Sequence, residues 1–235
     1  MGKKEAVKVA AGFVVTVLLL VVAITLLQIS FGIKKEEQGL PTQASAAPVV
    51  VIDAGHGGMD GGAVAPDGTA EKEINLEISE ILACIMEVNG VKAVMTRTED
   101  VMLDGEGLTG SAKLRDLKQR LVIASQYPDA LLVSIHCNKF PLESCKGLQV
   151  YYSGHTEAEE VAETVQESFL KIDPANHRQI KKADTSIYLL NRAKIPSILV
   201  ECGFLSNKEE LARLKTEEYR KMLALVVAGG ILGVI

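Results

Sequence analysis

The clearest hydrophobic pattern in the chain is a run of β-branched residues from Val49 to Ile52, which stops at Asp53. An unbroken apolar run of this length predicts a strand that is buried on both faces. Two later runs have the same character, and they stop at His136 and Glu201. Three such strands indicate the centre of a parallel sheet.

Apolar residues recur at helical spacing in the segments between these strands. The spacing predicts helices over residues 71–88, 111–127 and 157–172, and another that begins after Thr216. Strands that alternate with helices predict an α/β fold. We expect a three-layer α/β/α single domain around a twisted, mostly parallel sheet.

Three local features complete the expected fold. Residues 147–152 alternate in a way that predicts an antiparallel strand near an edge of the sheet. Residues 187–190 predict a short extended segment. The charged residues of the helix over 111–127, Arg120 among them, are expected on its solvated side.

The N-terminus carries a separate apolar run, Val9 to Leu27, that continues weakly to Ile33. At 1.5 Å per residue it is long enough to span roughly 30 Å of hydrocarbon. Lysines precede the run, which favours a cytoplasmic N-terminus and a catalytic part outside the cytoplasm. A cleaved signal peptide is the alternative, with Ala44-Ser45-Ala46 as its site, although the run is long for such a peptide.

The chain is thus expected to have three parts. Residues 1–33 form an N-terminal membrane anchor or signal peptide, residues 34–47 a linker, and residues 48–235 the catalytic domain. We expect contact with the membrane through residues 9–33.

Net charge and cysteine content make two classes of protein improbable matches for this chain: nucleic-acid-binding proteins and disulfide scaffolds. The 235-residue chain has a net charge of −5, and no basic patch interleaved with aromatic residues. Nucleic-acid binding is therefore disfavoured. The 4 cysteines form no CxxC pair, so a disulfide scaffold is not expected at this size.

Polar residues occur where the buried strands end. His56 follows the first strand in a glycine-rich turn, while His136 and Glu201 end the other two. Glu71 opens the first helix of the domain. Because strand C-termini and helix N-termini lie at the same edge of a parallel sheet, these four side chains are expected to converge.

Two imidazoles and one carboxylate with an open fourth position form a catalytic zinc site of the hydrolase kind. The remaining carboxylate would then move protons. The pattern does not decide which glutamate binds metal, and a polar cluster without metal stays open. The glycines that flank His56 are expected to leave its imidazole sterically open; a turn histidine that only faces solvent is the alternative reading.

Four segments resemble the zinc-dependent N-acetylmuramoyl-L-alanine amidases of the Amidase_3 family. They are, in chain order, residues 52–58 (IDAGHGG), 71–76 (EKEINL), 134–138 (SIHCN) and 200–207 (VECGFLSN). The resemblance runs from about residue 49 to about residue 228. Cysteines at 137 and 202 depart from the usual pattern, and they are expected to pack away from the site because neighbours on a strand point to opposite faces.

The resemblance implies roles for the four residues. His56, Glu71 and His136 correspond to the family's Zn²⁺ ligands, and Glu201 to its catalytic base. Glu73 is the main alternative to Glu71 as the glutamate ligand. We reject it because it does not occupy the ligand position of the family motif. The implied reaction is hydrolysis of the amide between the lactyl group of N-acetylmuramic acid and L-alanine of the peptidoglycan stem peptide.

The chain layout is also similar to the CwlD-type amidases of spore formers. That similarity implies action on spore cortex, as a step toward muramic-δ-lactam and germination, with the domain facing the cortex or intermembrane space. A regulatory protein partner is implied as well. A vegetative cell-wall amidase would have a similar sequence, and a cysteine hydrolase using Cys137 or Cys202 and a degenerate wall-binding scaffold are further alternatives.

Overall fold

The computed structural model describes residues 47–105 and 107–235. The expected anchor or signal peptide, residues 1–33, and nearly all of the expected linker lie outside these residues. Within the described part, no helix combines the length and the apolar character that crossing a membrane requires.

Six strands form one sheet in the order β2-β1-β3-β6-β4-β5. The strands are β1 Val49–Ala54, β2 Lys92–Met95, β3 Leu131–Asn138, β4 Gln149–Tyr152, β5 Lys181–Lys182 and β6 Ser197–Phe204. The four strands β2, β1, β3 and β6 run parallel to one another, and β4 runs antiparallel to β6. The expectations of a mostly parallel sheet and of an antiparallel strand near its edge are both confirmed.

Helices cover both faces of the sheet. They are α1 Glu71–Val88, α2 Ala112–Ser125, α3 Thr156–Ser168, α4 Tyr188–Arg192, α5 Lys208–Leu214 and α6 Glu217–Leu232, with a 3₁₀ turn at Phe169–Lys171. The larger core joins α1, α3 and α6 to one face, and the smaller core joins α2 and α4 to the other. This arrangement is the mixed α/β single domain that the sequence predicts.

The two cores explain why the strand runs are mainly apolar on both faces. In β1, Ile52 belongs to the larger core and its neighbour Val51 to the smaller one, and Val133 and Leu132 divide in the same way in β3. Because successive side chains of a strand point to opposite faces, a sheet covered on both sides needs apolar residues at every position.

The prediction of an extended segment over residues 187–190 is wrong. The chain there begins the helix α4, whose Leu189 and Leu190 are buried in the smaller core. A short apolar run has too few residues to show a period, so helix and strand cannot be told apart by pattern. The tertiary contacts decide in favour of the helix.

Candidate active site

The four residues singled out in the sequence lie at the C-terminal edge of the sheet. His56 follows β1, His136 lies in β3, Glu201 lies in β6, and Glu71 is the first residue of α1. The topology places strand ends and the helix start at one edge, as expected.

Three of these residues form a group that could hold a metal ion. His56 Nε2 lies 3.3 Å from Glu71 Oε2, and His136 Nδ1 lies 2.8 Å from Glu71 Oε1. Each of the three offers a ligand atom within 4.8 Å of the other two. Glu73, the rival considered above, is exposed and outside this group.

Glu71 is held in place by backbone and side-chain donors. Its Oε1 accepts hydrogen bonds from the backbone N–H of Cys137 at 3.1 Å and from Asn75 Nδ2 at 3.2 Å, and its Oε2 from the N–H of Ala63 at 2.7 Å. Burial acts to raise the pKa of Glu71, but hydrogen bonds from His136 and His56 outweigh it and hold the pKa far below the usual range. The carboxylate is therefore charged and fixed.

His56 has an unusual backbone conformation. Its φ of 63° makes it the one non-glycine residue with positive φ in the described part of the chain. Non-glycine residues in this region are sparse and gather at functional sites. Its Nδ1 lies 3.0 Å from Asp60 Oδ2, which orients the ring and leaves Nε2 facing Glu71. Burial acts to lower the pKa of His56, and Glu71 and Asp60 raise it overall.

The glycines near His56 allow close packing, which corrects the expectation of an open imidazole. A Cβ at Gly55 would lie 2.4 Å from the His136 ring, and one at Gly57 would lie 2.2 Å from the Val101 carbonyl. Gly62 has the same role, because a Cβ there would lie 2.5 Å from Glu71 Oε2. The His56 side chain itself is only 16% exposed.

Glu201 lies directly opposite His136 in the parallel pair β3–β6. Its Oε2 is buried and has no hydrogen-bond partner in the described residues. Burial raises the pKa of Glu201 to about 7. Just beyond this pair the register shifts, so that Asn138 pairs with Phe204, and Gly203 takes a φ of 128°. The β-bulge separates the Glu201 position from the turn that follows.

Arg120 is buried, which overturns the prediction that it lies on the solvated side of its helix. Its Nε donates to Asp116 Oδ2 at 2.7 Å, and one terminal nitrogen donates to Asp53 Oδ1 at 2.7 Å. The same guanidinium donates to the carbonyls of Ala54 and His56, each at 2.7 Å. Arg120 thus supports the backbone that carries the first histidine.

A signal for this contact was present in the sequence. Asp53 ends an otherwise apolar buried strand, and a charge in such a place needs a cation or several hydrogen bonds. The structure supplies Arg120, the Thr96 hydroxyl at 2.8 Å and the Ser134 hydroxyl at 2.6 Å. A second buried arginine, Arg97, donates to the carbonyls of Ala54, Gly55, Lys72 and Glu99.

Asp53 makes a testable contribution to stability at low pH. Burial acts to raise its pKa, but Arg120 and Ser134 outweigh burial and hold the pKa below its usual value. The pKa of Asp53 is lower in the folded chain than its value of about 3.9 in the unfolded chain, so the ionised carboxylate stabilises the fold at pH values above about 3.9. This stabilisation is lost as the pH falls through the pKa of Asp53 in the folded chain. We expect Asp53→Asn to cost about 3 kcal/mol at pH 7.

The measurement is urea unfolding of both proteins between pH 3 and pH 7. The difference in unfolding free energy is expected to be constant above about pH 5 and to shrink below about pH 4, by up to ~1.4 kcal/mol per pH unit. A difference that stays constant down to pH 3 would contradict the proposed ionic role of Asp53.

A cleft of about 220 Å³ adjoins the two histidines on the α2–α4 side of the sheet. It is lined by Ser134 and Leu199 of the sheet and by the segment from Ser186 to Leu189, among others. The cleft therefore gives a small organic group access to the side of the sheet on which the imidazoles lie.

Cys137 and Cys202 belong to the larger core, on the far side of the sheet from the cleft. Burial raises the pKa of both thiols well above the usual value. Because the thiolate is the nucleophilic form, these cysteines lack the environment of a cysteine hydrolase. All 4 cysteines of the chain are free in the structure.

Two imidazoles and one carboxylate that could share a metal ion, with a second carboxylate paired opposite His136, lie at the C-terminal edge of the sheet. This arrangement fits a metal-dependent hydrolase. The comparison with protein families identifies the class further. The chain belongs to the Amidase_3 family, N-acetylmuramoyl-L-alanine amidase, which matches residues 50–233. Peptidoglycan amidase activity follows from this membership.

Individual relatives agree with the family. The chain is 34% identical over 187 residues to the germination-specific N-acetylmuramoyl-L-alanine amidase of Bacillus subtilis, covering 78% of each protein. It is similar to the solved structure of the CwlD amidase from Clostridioides difficile in complex with the GerS lipoprotein, with a TM-score of 0.75 and 36% identity over 80% of this chain and 98% of that one. The amidase AmiC2 of Nostoc punctiforme matches with a TM-score of 0.68 and 35% identity, over 79% of this chain and 96% of that one.

Proposed function

We propose that this amidase is a zinc enzyme in which His56, Glu71 and His136 bind the metal and Glu201 moves protons. Its reaction is hydrolysis of the amide between the lactyl group of N-acetylmuramic acid and L-alanine of the stem peptide. The observation that carries the proposal is the convergence of the three ligand atoms within 4.8 Å, with Glu201 paired opposite His136.

The donor set fits zinc. Two imidazole nitrogens and one carboxylate oxygen are ligands that Zn²⁺ prefers, and three protein ligands leave a position open for water or substrate. Asp60 behind His56 supports the ring in the way that carboxylates support metal-binding histidines. The unpartnered Oε2 of Glu201 fits a role toward a group outside the protein chain.

Zinc, when bound, supplies a Lewis acid that lowers the pKa of water and polarises a carbonyl. Glu201 accepts the proton of the attacking water and then donates it to the alanine nitrogen, so that the leaving group departs as a neutral amine. A pKa near neutrality suits a group that must both take up and release a proton.

We also propose that the substrate is spore cortex, and that the reaction is a step toward muramic-δ-lactam and germination. Similarity to the germination-specific amidase of Bacillus subtilis supports this setting over the vegetative cell wall. The CwlD amidase was solved in complex with the GerS lipoprotein, which supports a protein partner for this chain too. Attachment to the membrane through residues 9–33, with an extracytoplasmic domain, remains a prediction from the sequence.

The test is zinc content and muropeptide analysis of the fragment from Ala47 onward. We expect stoichiometric zinc and release of stem peptides that begin with L-alanine, with spore cortex fragments cleaved in preference to vegetative wall. Equal cleavage of both materials would contradict the cortex assignment. A fragment that carries no zinc and releases no peptide would favour a degenerate wall-binding protein instead.

A further inference from the structure

Arg178 is an arginine whose position is fixed by three contacts. It lies in the loop between the 3₁₀ turn and β5. Its Nε donates to the carbonyl of Lys146 at 2.7 Å, and a terminal nitrogen donates to Gln149 Oε1 at 3.0 Å. Its guanidinium lies over the Phe204 ring at 4.5 Å. A guanidinium held in this way loses little conformational freedom when it binds a further group.

No carboxylate of the described residues forms an ion pair with Arg178. Arg120, in contrast, lies 2.7 Å from each of two carboxylates. Arg178 also lines a cavity of about 800 Å³. Asp173 and Glu209 line the same cavity, but neither carboxylate forms an ion pair with Arg178. Arg178 is therefore a fixed cation that makes no ion pair within the described part of the chain and adjoins space for a ligand.

Arg178 is linked through Gln149 to the candidate base Glu201. Gln149, which accepts the hydrogen bond from Arg178, lies directly opposite Glu201 in the antiparallel pair β4–β6. The Tyr151 hydroxyl lies 3.4 Å from the same Gln149 oxygen. Gln149, Tyr151 and Glu201 share one face of the sheet, since Tyr151 pairs with Leu199 and side chains alternate along a strand.

We propose that Arg178 binds a free carboxylate of the stem peptide, the first one beyond the scissile amide. The inference rests on the proposed role of Glu201. The reaction brings the amide to Glu201, and the peptide continues from the alanine as an acidic chain. A guanidinium fork matches a carboxylate in shape and charge, and such charged hydrogen bonds are stronger than neutral ones. Arg178 would thus select acidic stem peptides over amidated ones.

The experiment compares two substrates that differ at one group. Both are N-acetylmuramoyl-L-alanyl-D-glutamate with the γ-carboxyl blocked as a methylamide; one has a free α-carboxylate, and the other carries an α-amide. We expect the wild-type enzyme to prefer the acid by roughly 10- to 100-fold in kcat/KM, mainly through KM. For Arg178→Gln the ratio is expected to fall to about 1, because only the acid loses a partner.

Two further variants test the assignment. Arg178→Lys keeps the charge without the fork, and it is expected to keep part of the preference. Arg213→Gln removes another arginine of the same cavity, one that lies 3.7 Å from Glu210 and is already paired. It is expected to leave the ratio between the two substrates unchanged.

The outcomes separate this inference from the proposed function. Wild-type enzyme that cleaves neither substrate would contradict the proposed reaction. Wild-type enzyme that cleaves both at equal rates would overturn only the role of Arg178, and so would an equal loss of preference in Arg213→Gln. A wild-type midpoint of urea unfolding is the expected sign that Arg178→Gln is folded, so that a lost preference reports carboxylate recognition.

Discussion

Replacing Glu201 by glutamine is expected to lower kcat by roughly 10²- to 10⁴-fold while zinc remains bound. The amide has nearly the shape of the carboxylate but cannot accept the proton of the attacking water. The position faces His136 across the β3–β6 pair and is separate from the three proposed ligands, so metal affinity has little reason to change. The measurements are kcat on a muramoyl-peptide substrate and zinc content of the same preparation.

Glu160→Gln is a suitable control for this variant. Glu160 is an exposed glutamate of α3, remote in sequence from every site residue, and its replacement is expected to leave kcat and zinc unchanged. Turnover retained in Glu201→Gln would contradict the assignment of the base. Loss of zinc together with turnover would instead mean that Glu201 takes part in metal binding.

Replacing Glu71 by glutamine is expected to weaken zinc binding by at least roughly 100-fold and to lower activity at limiting zinc in parallel. The change removes the one negative charge of the proposed ligand set, and it removes the acceptor that contacts both imidazoles. The dissociation constant is measured by competition with a chromophoric chelator. Unfolding by urea, followed in parallel, separates a metal effect from a loss of folded protein.

Glu73→Gln is the matched control, since it makes the same change two residues later in the same helical turn. Glu73 is exposed and is expected to tolerate the substitution without loss of zinc. The reverse result, with zinc lost in Glu73→Gln and kept in Glu71→Gln, would mean that the alignment of this motif is shifted by two residues.

Much of the fold followed from residue patterns, because both faces of this sheet are covered. The apolar runs that stop at Asp53, His136 and Glu201 predicted three buried strands of a mostly parallel sheet, and β1, β3 and β6 are parallel neighbours in the structure. The hydrophobic pattern did not distinguish helix from strand where the apolar segment was short. Residues 187–190 have no measurable period, and the helix that they begin is determined by packing against the smaller core.

The candidate site was predictable for a topological reason, and the motifs added the roles. Parallel strands bring their C-terminal ends to one edge, so His56, His136 and Glu201 were expected together before any distance was known. Residue pattern alone did not rank Glu71 above Glu73. In the structure they differ plainly, because Glu71 contacts two imidazoles and Glu73 is exposed.

By itself, the sequence determined the class of fold, the edge at which the site lies and the residue types that meet there. Hydrophobic periodicity and the points at which strands and helices begin and end are properties of short segments, so they can be recognised in the sequence as patterns. Only the tertiary structure decided which partner each buried charge has. Asp53 pairs with Arg120 from a distant helix, and the partly buried Arg178 donates to Gln149 from a loop. Such pairing depends on register and loop path rather than on any local preference.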